Sequence, residues 1–124
     1  MKTAIVFGAT SGIGKEISEL LLKDGYKVAI TGRRLKKLEA LKKQYPNQVY
    51  VAQNDIQKVD EVENVFNEII KEFTTIDLII QSSGVGHINP TLSWDKEEET
   101  IFTNVVGVTK LYDLSFNLFR NRGF

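Results

Sequence analysis

Near the N-terminus, Gly8-Ala9-Thr10-Ser11-Gly12-Ile13-Gly14 places three glycines and two hydroxyl side chains between an apolar run and an amphipathic one. These residue types at this spacing suit the binding of a diphosphate. One glycine permits a tight turn, a second removes a side chain where the ligand approaches, and a third lets a helix pack closely on a strand. The helix start adds free N–H groups and the positive end of its dipole. The backbone of residues 8–14, Ile13 included, would form the cup, and Thr10 and Ser11 offer hydroxyl donors. Such a turn can also be a turn and nothing more. Its place at the first strand–helix junction, where open α/β sheets bind ligands, favours the ligand.

A second cluster bears on which ligand. Thr31-Gly32-Arg33-Arg34 follows the second apolar run, and no Asp or Glu occurs from Lys27 through Lys37. Dinucleotide sites for NAD usually place a carboxylate here to grip the ribose 2′-hydroxyl. A carboxylate repels a 2′-phosphate, whereas arginine holds one with paired charge-assisted hydrogen bonds. NADP(H) is therefore expected, with Arg33 the leading contact and Arg34 the second; NAD(H) stays open. The alternative is that both arginines begin a basic solvated face with Lys36, Lys37, Lys42 and Lys43.

Other chemistry finds less support. His87 is the sole histidine and lies in a Gly/Pro-containing loop near Ser82 and Ser83. A triad also needs an orienting carboxylate and an oxyanion site, so an exposed loop histidine is expected. Glu97, Glu98 and Glu99 fall in the first turn of a predicted helix, where negative charge suits the dipole. There is no cysteine and no ligand cluster, so no metal is expected.

Short apolar runs alternating with amphipathic ones must position these residues, and that alternation predicts βαβ units around a parallel sheet. Strands are expected at 3–7, 27–31, 48–53 and 76–81. The first helix starts near Gly12 with Ile13, Ile17, Leu20 and Leu21 on one face, and Gly25 caps it. The second carries Leu35, Leu38 and Leu41 and stops before Pro46. The third carries Val59, Val62, Phe66, Ile69 and Phe73. The fourth starts at Asp95, with Glu98 as capping-box partner, and runs to about Asn117. Right-handed crossovers imply a Rossmann-type doubly wound α/β sheet of order 3-2-1-4.

The chain's 124 residues suit one domain, residues 1–124. Sixteen basic residues balance sixteen acidic ones, so no global field draws nucleic acid or an anionic membrane. No apolar run reaches membrane-spanning length, and the N-terminal stretch is too short for a signal peptide. A soluble, cytoplasmic protein is expected.

Taken together, Gly8-x-x-x-Gly12-x-Gly14, Asp55-Ile56, Gly84 and Asn104-Val105-Val106-Gly107 resemble, in order and spacing, the short-chain dehydrogenase/reductase family over the whole chain. The resemblance implies hydride transfer between NADP(H) and a carbonyl or alcohol. It implies that Asp55 bonds the adenine amino group with Ile56 beside the ring. Gln81 to Gly84, Ser83 included, would line the cofactor ribose. Asn104 would be the catalytic asparagine holding a proton-relay water. Asp55 can equally cap a turn, and Asn104 can be a polar helix residue. The family's Asn-Asn-Ala-Gly is here Gln81-Ser82-Ser83-Gly84, which keeps only the glycine. Its Tyr-x-x-x-Lys has no counterpart: four residues after Tyr26, Tyr45, Tyr50 and Tyr112 stand Ile30, Val49, Asn54 and Phe116. The chain therefore reads as a truncated, cofactor-binding half, inactive alone. A binding module without turnover and a fragment that only self-associates are the alternatives. The fourth helix is apolar around most of its circumference, so self-association through 95–117, or through the edge of the fourth strand, is expected. In the family the equivalent helix helps form a dimer.

Overall fold

Alternation along the central strand sorts its side chains into two cores. β1 (Thr3–Phe7) is buried at every position. Ile5 and Phe7 enter one apolar cluster, and Ala4 and Val6 enter the other. Successive side chains leave opposite faces of a strand, so both faces of the sheet are covered. The computed structural model describes residues 1–10, 12–84 and 89–123. In chain order, β1 is followed by α1 (Gly12–Lys23), β2 (Lys27–Gly32), α2 (Leu35–Gln44), β3 (Val49–Gln53), α3 (Val59–Phe73) and β4 (Leu78–Gln81). Then come α4 (Trp94–Ile101), a π-helical segment (Phe102–Gly107) and α5 (Val108–Asn121).

All strand pairs are parallel, in the order β3-β2-β1-β4. This is the doubly wound Rossmann-type arrangement. Leu22 of α1 with Leu38 and Leu41 of α2 covers one face. Val62, Phe66, Ile69 and Phe73 of α3 with Leu111 of α5 cover the other. Phe66 stacks on Phe7 with ring centroids 6.5 Å apart. Phe7 is in register with Thr31 and with Gln81, so β1, β2 and β4 end side by side.

Several local expectations are corrected. α1 turns Gly14, Ser18 and Leu22 inward, while Ile13 and Leu20 are exposed. The helix rides close to the sheet, so small residues must face it. The Ser18 hydroxyl donates to the Gly14 carbonyl at 2.8 Å and is satisfied there. β3 starts at Val49 rather than 48, and β4 at Leu78 rather than 76. Ahead of β4, Thr3 N–H donates to Asp77 Oδ2 (2.8 Å) and Asp77 N–H to Thr3 O (3.0 Å), so a side chain replaces part of the ladder.

The fourth helix is not one α-helical run, and no capping box forms. The helix starts at Trp94, and Glu98 accepts from the Trp94 indole instead. The Asn89 side chain clamps this start: its Oδ1 accepts from Ser93 N–H, and its amide donates to Ser93 O and Glu97 Oε1. The wider π turn ends at Gly107, which lies against the carbonyl and Cγ1 of Ile56 with no room for a Cβ.

Candidate functional site

The turn after β1 is tied to the end of β2, because the N–H groups of Gly8 and Ala9 both donate to Thr31 O at 3.0 Å. Gly8 has φ +88°, and a Cβ there would lie 2.6 Å from Ser83 N. Gly14 abuts the Gly8 carbonyl, which leaves no space for a side chain. Gly12 differs: its φ is +58°, and open space lies where its Cβ would point. The three glycines thus divide into turn, mouth and packing contact. α1 starts at Gly12, so its unpaired N–H groups lie at this turn, and no acidic residue occupies its first turn. Ser11 lies outside the described residues, as do Gly86 and His87.

One cleft gathers the ends of all four strands. Gly8 and Thr10 line it from the first turn, and Gly32, Arg33 and Arg34 from the end of β2. Asn54, Asp55 and Ile56 follow β3, Ser82, Ser83 and Gly84 follow β4, and Thr103 comes from the π segment. Arg34 Nη2 donates to Thr10 Oγ1 at 2.9 Å, which joins the first turn to the arginine loop. Arg33 Nη1 stands 3.6 Å from Glu99 Oε1 of α4. Asp55 Oδ1 accepts from Gln57 N–H at 3.1 Å, so the carboxylate does cap a turn while lining the cleft. Ile56 is buried.

Gln81 shapes the wall after β4. Its Nε2 donates to Ser83 O at 2.7 Å, and its Oε1 accepts from Ser83 N–H at 2.9 Å. Asn104 is exposed in the π segment, with its Oδ1 3.4 Å from the place of a Cβ on Gly84.

Two cleft residues escape sequence reasoning. Asn54 and Thr103 are buried, and Asn54 Oδ1 and Thr103 Oγ1 have no hydrogen-bond partner among the described residues. Buried polar atoms are normally paired, so both await a polar ligand or solvent. Each stands beside a residue with a stronger signal, Asp55 or Asn104, and has none of its own. The orphan atoms, the open space at Gly12 and the free helix start fit a phosphorylated, polar cofactor. Among the described residues, no group of three His, Cys, Asp or Glu is placed for a metal. Nor is any helix among them long and apolar enough to cross a membrane.

The sequence profile of the short chain dehydrogenases matches residues 2–123. The chain belongs to this family. Farnesol dehydrogenase of Aedes aegypti is 29% identical over 128 residues, covering 98% of this chain and 52% of that protein. An NADP-dependent 3-hydroxy acid dehydrogenase of Escherichia coli K12 is 32% identical over 82 residues, covering 66% of this chain and 33% of that enzyme. Among solved structures, a short chain dehydrogenase from Bacillus anthracis superposes with a TM-score of 0.89 at 28% identity, over 99% of this chain and 51% of its own. An alcohol dehydrogenase from Thermococcus sibiricus complexed with 5-hydroxy-NADP gives 0.84 at 28% identity, over 94% and 52%. This short chain dehydrogenase sequence thus spans about half the length of such relatives, or less.

Proposed function

We propose that this chain is the cofactor-binding part of an NADP(H)-dependent oxidoreductase that moves hydride between the dinucleotide and a carbonyl or alcohol. The observation that carries the reading is the pair Arg33 and Arg34 at the end of β2, lining the cleft that begins at the glycine turn. The names of the Escherichia coli and Thermococcus relatives support NADP.

In this reading the N–H groups at residues 12–14, with Thr10 and Ser11, hold the diphosphate. Arg33 and Arg34 hold the 2′-phosphate. Asp55 receives the adenine amino group beside Ile56, and Ser83 and Gly84 border the ribose. Asn104 orients a water for proton relay. The bound nicotinamide supplies or accepts hydride. No Tyr-x-x-x-Lys occurs in the 124 residues, so the chain by itself is expected to bind cofactor without turnover.

The test is a titration of NADPH and of NADH into the chain, read by nicotinamide fluorescence. NADPH should bind about tenfold tighter, as charge-assisted bonds to one phosphate suggest. Tighter NADH would remove the NADP assignment, and binding of neither would remove the dinucleotide.

A self-associating chain is a second reading. Val105, Tyr112 and Phe116 are 57%, 63% and 65% exposed on one helical stretch. β4 also stands at the edge of the sheet.

A further inference from the structure

We propose that Glu99 sets the preference of this site between phosphorylated and unphosphorylated adenosine ribose, by holding Arg33 until a 2′-phosphate displaces it. The inference rests on the dinucleotide reading above and adds a residue to it.

Arg33 leaves the end of β2 and lines the cleft on that side. Glu99 lies on α4, four residues before Thr103, which lines the cleft from the π segment. The 3.6 Å pair between Arg33 Nη1 and Glu99 Oε1 therefore ties the arginine after β2 to α4, the helix that leads into Thr103. The neighbouring carboxylates are otherwise engaged. Asp55 accepts from Gln57 N–H, and Glu61 pairs with Lys58 at 3.9 Å.

Exposure says which partner moves. The Arg33 side chain is 53% exposed and that of Glu99 29%, so the guanidinium is the freer of the two. An ion pair this open to water is weak and exchanges readily. A phosphate dianion offers arginine two parallel charge-assisted bonds and wins the exchange. It must still break the pair and then sit near the charge of Glu99, and both effects weaken its binding. An unphosphorylated ribose makes no demand on Arg33, so it binds with the pair intact. Glu99 thus narrows the gap between the two cofactors without touching either.

Glu99→Gln keeps the size of the side chain and removes its charge. With this variant, NADPH should bind about two- to fivefold tighter and NADH as before. In an Arg33→Met background, Glu99→Gln should give a clearly smaller gain for NADPH, since only the repulsion between carboxylate and phosphate remains. Glu99→Ala should reproduce the shift in the ratio. An unchanged NADPH/NADH ratio in Glu99→Gln would overturn the proposal and leave the dinucleotide reading standing. So would an equal gain for NADPH in the Arg33→Met background. A wild-type chain that binds neither nucleotide would end both.

Discussion

The carbonyl oxygen of Gly8 occupies the place where a Cβ on Gly14 would stand. Neither side can yield cheaply, because one is the turn after β1 and the other is the backbone of α1. Gly14→Ala is expected to lose about 1–3 kcal/mol or more in denaturant unfolding. Gly12 supplies the contrast. Its φ of +58° costs a non-glycine residue about 1–2 kcal/mol, yet nothing lies within 4 Å of its Cβ position. Gly12→Ala should leave a folded chain that binds dinucleotide poorly. Unaltered binding in that folded variant would contradict the diphosphate cup.

Gln81 stands where the family usually has asparagine, and its longer amide closes a ring with the backbone of Ser83. Gln81→Leu keeps most of the volume and removes both bonds. A stability loss of about 1–3 kcal/mol is expected. Faster hydrogen exchange at the Ser83 amide is the direct readout, and an unchanged rate would show that something else holds this wall.

Tyr50 lies away from the cleft and carries the pH prediction. Its hydroxyl donates to Glu68 Oε1 at 2.6 Å. That bond, then burial, then the charges of Glu68 and Glu72, push the phenol from 10.0 up to about 12. A folded-state value above the unfolded one means that the contribution to stability is fully present below pH 10 and fades as pH rises toward 12. Ring NMR shifts of Tyr50 should titrate late, and Glu68→Gln should bring them back toward the ordinary range. An early Tyr50 titration in the wild type would contradict the bond.

Self-association should depend on concentration and on the exposed apolar side chains of the last helical stretch. Phe116→Glu, at a position 65% exposed, is expected to lower the light-scattering mass with little change in unfolding midpoint. A wild-type chain that stays monomeric at high concentration would remove this reading.

Much of this was legible in the residues because the governing signals are local. Alternating apolar runs gave the strand and helix order, and handedness gave the sheet order. The glycines were legible because only glycine tolerates the turn at residue 8 and the packing at residue 14. What escaped depends on contacts between distant segments. Ser18 faces the core and Leu20 the solvent because α1 sits close to the sheet, which its own periodicity does not record. Glu98 resembles a capping-box partner until Asn89 clamps the helix start. The Arg33–Glu99 pair joins segments more than sixty residues apart in the chain. Thr103 and Asn54 become notable only when burial leaves their polar atoms unmatched.

The π segment has a geometric consequence for the helical stretch around it. An α-helix turns once in about 3.6 residues, so positions four apart creep forward around its axis. A wider π turn makes the same spacing creep backward. Thr103, Gly107 and Leu111 are spaced by four and are all buried. The backward step from 103 to 107 offsets the forward step from 107 to 111, so one side of the rod stays inward across the join. The segment acts as a phase corrector. In an unbroken α-helix of the same length, Thr103 and Leu111 would stand about 80° apart around the axis. The cleft wall would then be re-aimed while the core beneath α5 stayed in place.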